Sequence, residues 1–228
     1  TCSPDDFDWD AIMEGASNFH MTGITPALSK TMPEVCLKAL EAAKAHGLTV
    51  SCELNYRKNL WTTQEAKECM TRFMPYIDLL IANEEDADKV FGIKAKNSDV
   101  TKGQLDTEGY VDVARQICET YGTKQVAITL RKSISASDND WSAMLYTGGK
   151  PYFSRTYHVH LVDRVGGGDS FGAGLIYALL NDYAPQDAIE YAAAASCLKQ
   201  TMELDFNLSS ADEVKQLAGG DGSGRVQR

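Results

Sequence analysis

The run VDRVGGGDSFGAG (Val162 to Gly174) gathers five glycines around Asp169 and leads straight into the apolar pattern LIYALL. Glycine lets the backbone take φ > 0 and brings its N–H groups close to a ligand. A helix opening near Asp169 aims its N-terminal dipole into the same loop. As a strand-to-helix turn, Gly166, Gly167 and Gly168 therefore make an anion hole. An aspartate repels a phosphate that is merely bound there. It makes sense as a base that takes a proton from a hydroxyl attacking a phosphoryl group held by the loop. The same residues also suit a plain glycine turn with Asp169 as N-cap. Two other phosphate motifs fail: Phe171 stands where G-x-G-x-x-G from Gly166 needs glycine, and no G-K-[ST] occurs.

The elements that must position this run alternate between strand and helix. Strands are predicted at Asn18–Thr22, Leu48–Leu54, Ile77–Ala82 and Gln125–Leu130. Helices are predicted at Pro33–His46, Thr63–Met74, Glu84–Phe91, Asp106–Tyr121, Ser170–Leu180 and Pro185–Gln200. Trp141–Tyr146 and Tyr152–His158 read as an antiparallel hairpin around Gly148 and Gly149. Such alternation implies an α/β fold with a mostly parallel sheet covered on both faces. One domain over residues 1–218 and a Gly-rich, frayed tail over 219–228 are expected.

Composition narrows the function classes. Among 228 residues, apolar types make up 43% and charged types 24%, as in a soluble globular protein. The formal net charge of −10 argues against a nucleic-acid groove, which needs basic patches. No run of about 18 apolar residues suggests a membrane span, and the acidic opening TCSPDDFDWD is no signal peptide. None of the six cysteines forms a C-x-x-C pair, so they read as reduced, buried small hydrophobes of a cytoplasmic protein. His20, His46, His158 and His160 lack metal spacing with acidic partners, and Trp61 and Trp141 read as core.

VDRVGGGDSFGAG resembles the C-terminal signature of the PfkB/ribokinase family of sugar kinases. ELNYRKNLW (Glu53 to Trp61), NEEDADKVFGIKA (Asn83 to Ala95), ITLRKSISASDNDWSAML (Ile128 to Leu145) and the terminal SGRVQR resemble its 2-keto-3-deoxygluconate (KDG) kinase branch. The resemblance implies a ribokinase-like α/β/α sandwich and ATP- and Mg²⁺-dependent phosphorylation of a sugar acid. A PfkB kinase for another sugar and a non-catalytic nucleotide-binding remnant remain alternatives. The partners are then a small sugar acid and ATP, with a homo-oligomer left open and neither nucleic acid nor membrane involved.

On that resemblance Asp169 matches the catalytic base, and Gly166, Gly167 and Gly168 the anion hole. Arg57 matches the arginine that meets the substrate carboxylate, a planar anion suited to guanidinium. Asn55 and Tyr56 match positions beside the nucleotide phosphates. Thr129, Leu130, Arg131, Lys132 and Ser133 match the nucleotide-binding turn, and Asp205 a late substrate contact. Asn83 and Asp86 match an N-x-x-E motif that organises Mg²⁺ and phosphate. Asp replaces Glu there, so a shorter carboxylate would act through water; both residues also suit a helix cap. Glu53 stands where relatives often carry Asp. The family domain has early strands, a sugar-covering lid and a G-G-x-x-x-N segment ahead of the first strand read here. This sequence shows none of them, so the expectation is the C-terminal portion of the domain, with the N-terminal strands and lid missing.

Overall fold

The computed structural model describes residues 2–83, 85–94 and 107–220. Seven strands form one sheet in the order β1-β2-β3-β4-β5-β6, with β7 pairing with β5. They are β1 (Asn18–Thr22), β2 (Thr49–Glu53), β3 (Leu79–Asn83), β4 (Gln125–Ser133), β5 (Asp138–Thr147), β6 (Lys150–Phe153) and β7 (Tyr157–His160). The sheet is mostly parallel with flanking helices, as the alternating pattern implied. Among the described residues no helix is long and apolar enough to cross a membrane.

The chain divides into two compact units. One comprises residues 1–98, 106–128 and 146–149; the other 99–105, 129–145 and 150–228. In the first unit β1 runs parallel to β2 and β2 parallel to β3, with Phe19 opposite Val50 and Cys52 opposite Leu80. Central β2 buries Val50, Ser51 and Cys52 in succession, because a strand covered on both faces has no solvent side. Helix α1 (Trp9–Met13) precedes β1. Helix α2 (Met32–Ala45) buries Val35, Cys36, Ala39, Leu40 and Ala43, one stripe at helical spacing. Helix α3 (Thr63–Phe73) starts from a reciprocal cap between Thr62 and Glu65. Helices α4 (Asp86–Phe91) and α5 (Thr107–Tyr121) complete this unit. The starts predicted at Glu84 and Asp106 lie outside the described residues.

Buried Asp78 fastens the entry ends of these strands. Its carboxylate takes hydrogen bonds from Lys44 Nζ at 2.6 Å, Lys124 Nζ at 2.8 Å and the Val50 N–H at 2.9 Å. Burial by itself would raise its pKa, but the two ammonium groups and the amide outweigh that and hold it below the usual carboxylate range. Asp78→Ala is expected to lower the unfolding free energy by about 2 kcal/mol at neutral pH, since a buried amide and two lysines lose their acceptor. With the folded pKa depressed, the Asp78 contribution is complete above the unfolded aspartate pKa and fades as pH falls through the folded value. Denaturant unfolding at pH 7 and in acid checks this: the gap between variant and parent should narrow in acid.

In the second unit, helix α6 (Gly167–Leu180) packs on α7 (Pro185–Gln200), and α8 (Ala211–Ala218) follows. A Cβ on Gly174 would lie 3.0 Å from Ala195 Cβ, so α6 and α7 approach through small residues. Helix α7 is buried nearly all round, including Ala192 to Cys197. Two expectations are corrected here. Tyr152–His158 is not one strand: it breaks at Ser154–Thr156 into β6 and β7. Ser154 exchanges backbone and hydroxyl hydrogen bonds with Ala143, and Glu190 takes the Arg155 N–H, so the ladder is interrupted by side chains. Thr129–Ser133 is not a turn either; β4 continues through it. The turn falls at Ile134–Ser137, where the Ile134 and Ser135 N–H groups both donate to the Asp138 carbonyl. The tail predicted from Gly219 lies, beyond residue 220, outside the described residues.

Candidate active site

The glycine cluster is half turn and half helix. Gly166 is the N-cap of α6 at φ +78°, while Gly167, Gly168 and Asp169 already form the first helical turn, earlier than the predicted start at Ser170. Only Gly166 uses the left-handed freedom. A Cβ there would stand 2.2 Å from the Asp205 carbonyl oxygen, so the turn needs glycine for conformation and for space. The Gly167 N–H donates to the Arg164 carbonyl, and Ser170 closes the first helical bond to Gly166. The amides of Gly168 and Asp169 find no backbone acceptor among the described residues. Two open N–H groups at the positive end of α6 suit an anion. Exposed Asp169 rises from the same turn, and none of the described residues pairs with its carboxylate.

Neighbouring loops brace this turn. The Asp163 carboxylate accepts the Val165 N–H at 3.0 Å and the Leu204 N–H at 3.2 Å. Ser196 Oγ donates to the Gly167 carbonyl at 2.7 Å, and Gln200 O accepts from the Val162 and Asp163 amides. Arg164 reaches the Ala136 carbonyl at 2.7 Å, which ties the end of the β4–β5 hairpin to the same loop. Asp205 is brought to the turn, but what touches Gly166 is its backbone carbonyl. Of the hairpin residues, Thr129 and Leu130 are buried, and Arg131, Lys132 and Ser133 are exposed.

The first unit gathers the other predicted residues. Gly23 closes β1 on β2: its N–H donates to the Glu53 carbonyl at 2.8 Å, and a Cβ there would stand 2.1 Å from the Leu54 carbonyl oxygen. Asn55, at φ +44°, donates to Thr22 Oγ1, and the Tyr56 hydroxyl donates to the Trp61 carbonyl. Arg57 is exposed, with Nη1 on the Tyr56 carbonyl at 3.2 Å. Asn83 and Asp86 form a reciprocal cap. Asn83 Oδ1 accepts the Glu85 and Asp86 amides, and the Asp86 carboxylate faces the Asn83 amide. Burial pushes the Asp86 carboxyl above the usual range, while the Asn83 and Tyr56 amides and the Arg57 charge oppose the shift.

This arrangement bears on the metal. The Asn83 and Asp86 oxygens are engaged by backbone amides, and Asp86 is buried. No group of three or more His, Cys, Asp or Glu side chains among the described residues is arranged to hold an ion. The pair does not fit a Mg²⁺ ligated directly by protein side chains.

Residues 3–209 match the profile of the pfkB family of carbohydrate kinases. The chain belongs to that family. A 2-dehydro-3-deoxygalactonokinase of Haloferax volcanii is 30% identical over 222 residues, 97% of this chain and 63% of the relative. The crystal structure of a 2-dehydro-3-deoxygluconokinase from Thermotoga maritima superposes with a TM-score of 0.90 at 48% identity, over 96% of this chain and 64% of that one. A PfkB family carbohydrate kinase from Listeria grayi superposes at 0.84 with 29% identity, over 94% and 63% of the two chains. The chain therefore spans less than two thirds of the length of these relatives.

Sequence reasoning missed Asp163, Ser196 and Gln200, which hold the turn of this PfkB chain from behind, and the buried Lys199 near them in the chain. Asp163 sits inside the quoted signature, three residues before Gly166, and that proximity was the available signal. Lys199 and Gln200, closing a helix, look like ordinary solvated C-terminal residues.

Proposed function

We propose that this chain supplies the catalytic portion of an ATP-dependent kinase that phosphorylates 2-keto-3-deoxygluconate to 2-keto-3-deoxy-6-phosphogluconate, a cytoplasmic step of sugar-acid breakdown. The observation that carries the reading is the first turn of α6, where the amides of Gly168 and Asp169 and the Asp169 carboxylate stand together without partners among the described residues. The amides would hold charge developing on the transferred phosphoryl group. Asp169 would take the proton of the attacking hydroxyl. The β4–β5 hairpin (Thr129 to Ser133) and Asn55 and Tyr56 would border the nucleotide, and Asp205 the sugar acid. Mg²⁺ would be carried by the nucleotide's own phosphates. The Thermotoga maritima likeness favours the gluconate-derived acid, and the Haloferax volcanii likeness its galactonate-derived epimer.

The test is ADP release by the purified chain with Mg²⁺-ATP, comparing both 2-keto-3-deoxy acids with gluconate and fructose. Turnover with one 2-keto-3-deoxy acid supports the reading and names the epimer. Nucleotide binding without turnover marks an incomplete kinase and overturns activity for this chain alone. Arg57 gives a sharper check. Arg57→Ala is expected to raise KM for the sugar acid about 10- to 100-fold, the worth of a charge-assisted guanidinium–carboxylate pair. KM for ATP should stay within about twofold. Equal weakening of both substrates would remove Arg57 from the acid site.

A further inference from the structure

Lys199 lies in the last turn of α7 and is fully buried, at 0% exposure. Its neighbours in sequence, Ala194, Ala195, Ser196 and Cys197, are buried as well, and an apolar residue would fill the same space without a charge to desolvate. An ammonium has three donors. The acceptor Nζ reaches is the Met202 carbonyl at 3.2 Å, and no carboxylate of the described residues lies within ion-pairing distance. The charge needs another reason to be there.

That reason is visible one layer out. Met202 opens the segment whose Leu204 amide is held by Asp163 and whose Asp205 carbonyl faces the Cα of Gly166. Asp163 also holds the Val165 amide, directly before the glycine turn. Its carboxyl sits below the usual range, first through the Val165 amide, then the Leu204 amide and the nearby Lys199 charge. Leu204 itself is strained at φ +64°, so this segment is held in place against its own preference. A cation below, an anion beside and two loops between them form one brace.

We propose that Lys199 is a positioning residue for phosphoryl transfer. Its buried ammonium on the Met202 carbonyl and the Asp163 carboxylate on the Leu204 amide together hold the Met202–Asp205 segment against Gly166 and so aim the first-turn amides of α6 and Asp169. The inference deepens the kinase reading and rests on it for its kinetic consequence.

The experiment compares the parent chain with Lys199→Met, which keeps the shape and drops the charge, Asp163→Asn and the double variant. In each single variant kcat should fall about 30- to 100-fold while KM for the sugar acid and ATP stays within about twofold, because sub-ångström aim affects the reacting geometry more than ground-state binding. The double variant should lose far less than the product of the two single losses, the signature of a coupled pair. Hydrogen exchange supplies a readout that does not need turnover. It should speed up in segments 163–169 and 202–206 and stay at parental rates in α8. Parental kcat in Lys199→Met, independent losses in the double variant, or faster exchange spread evenly over the second unit would overturn the proposal. A parent chain without turnover would sink the kinase reading; localised or unchanged exchange would then still decide the role of Lys199. If Lys199→Met does not fold, Lys199→Gln and the more exposed Asp163→Asn carry the same comparison.

Discussion

Replacing Asp169 by Asn is expected to lower sugar-acid-dependent ADP release by about three orders of magnitude, the middle of the range for a general base. The change is isosteric and exposed, and no described partner is lost, so the melting temperature should move little. Nucleotide affinity should survive, because the amides of Gly168 and Asp169 belong to the backbone and remain open. An Asp169 with no chemical role would instead leave turnover near the parental value, since Asn serves a helix N-terminus as well as Asp does. Steady-state kinetics, calorimetric titration with nucleotide and a thermal melt on one preparation separate the two. Retained turnover would take the base role away from Asp169.

Gly166→Ala should be damaging in a different way. A left-handed residue other than glycine costs about 1–2 kcal/mol, and Gly166 is at φ +78°. The new Cβ would also stand 2.2 Å from the Asp205 carbonyl oxygen and 3.0 Å from its carbonyl carbon. Those are backbone atoms, so the relief is a shift of the whole 202–205 segment or of the helix start. A misplacement approaching 1 Å at the reacting geometry costs about 100-fold in rate, and the combined strain and clash should remove about 2–4 kcal/mol of stability. Gly148→Ala is the matched control. Gly148 is at φ +57° between β5 and β6, with nothing within 4 Å of an added Cβ. It should cost only the conformational strain and leave turnover unchanged. Equal activity losses in the two variants would mean that the contact with Asp205 is irrelevant.

The local chemistry was legible in the residues. Five glycines around Asp169, followed by an apolar helix pattern, announced a strand-to-helix turn open to an anion. The alternation of strands and helices announced a mostly parallel sheet with helices flanking it. These features lie within a few residues of one another along the chain, and backbone preference with hydrophobic spacing decides them. Boundaries followed less closely. The helix begins at Gly167 because Gly166 alone needs φ > 0, and glycine composition cannot say which of three consecutive glycines that will be. β4 runs on to Ser133 because β5 pairs with it, and pairing depends on a partner strand rather than on local propensity.

Tertiary structure alone decided what each polar residue does. Asn83 and Asp86 match a motif that organises metal and phosphate; folding brings them together as a cap, with Asn83 Oδ1 taking the Glu85 and Asp86 amides and the Asp86 carboxylate buried. The Asp205 carbonyl braces Gly166, a backbone contact that its place in the sequence does not announce. Lys199 ends an alanine-rich helix in a Lys-Gln pair of the kind that normally faces water. In the fold it is fully buried, with Nζ on the Met202 carbonyl. Residue type and spacing therefore determined which groups were available for chemistry. Packing between segments distant in sequence determined which of them stay open and which are engaged in holding others still, because burial and hydrogen-bond pairing belong to the folded arrangement and not to the order of residues along the chain.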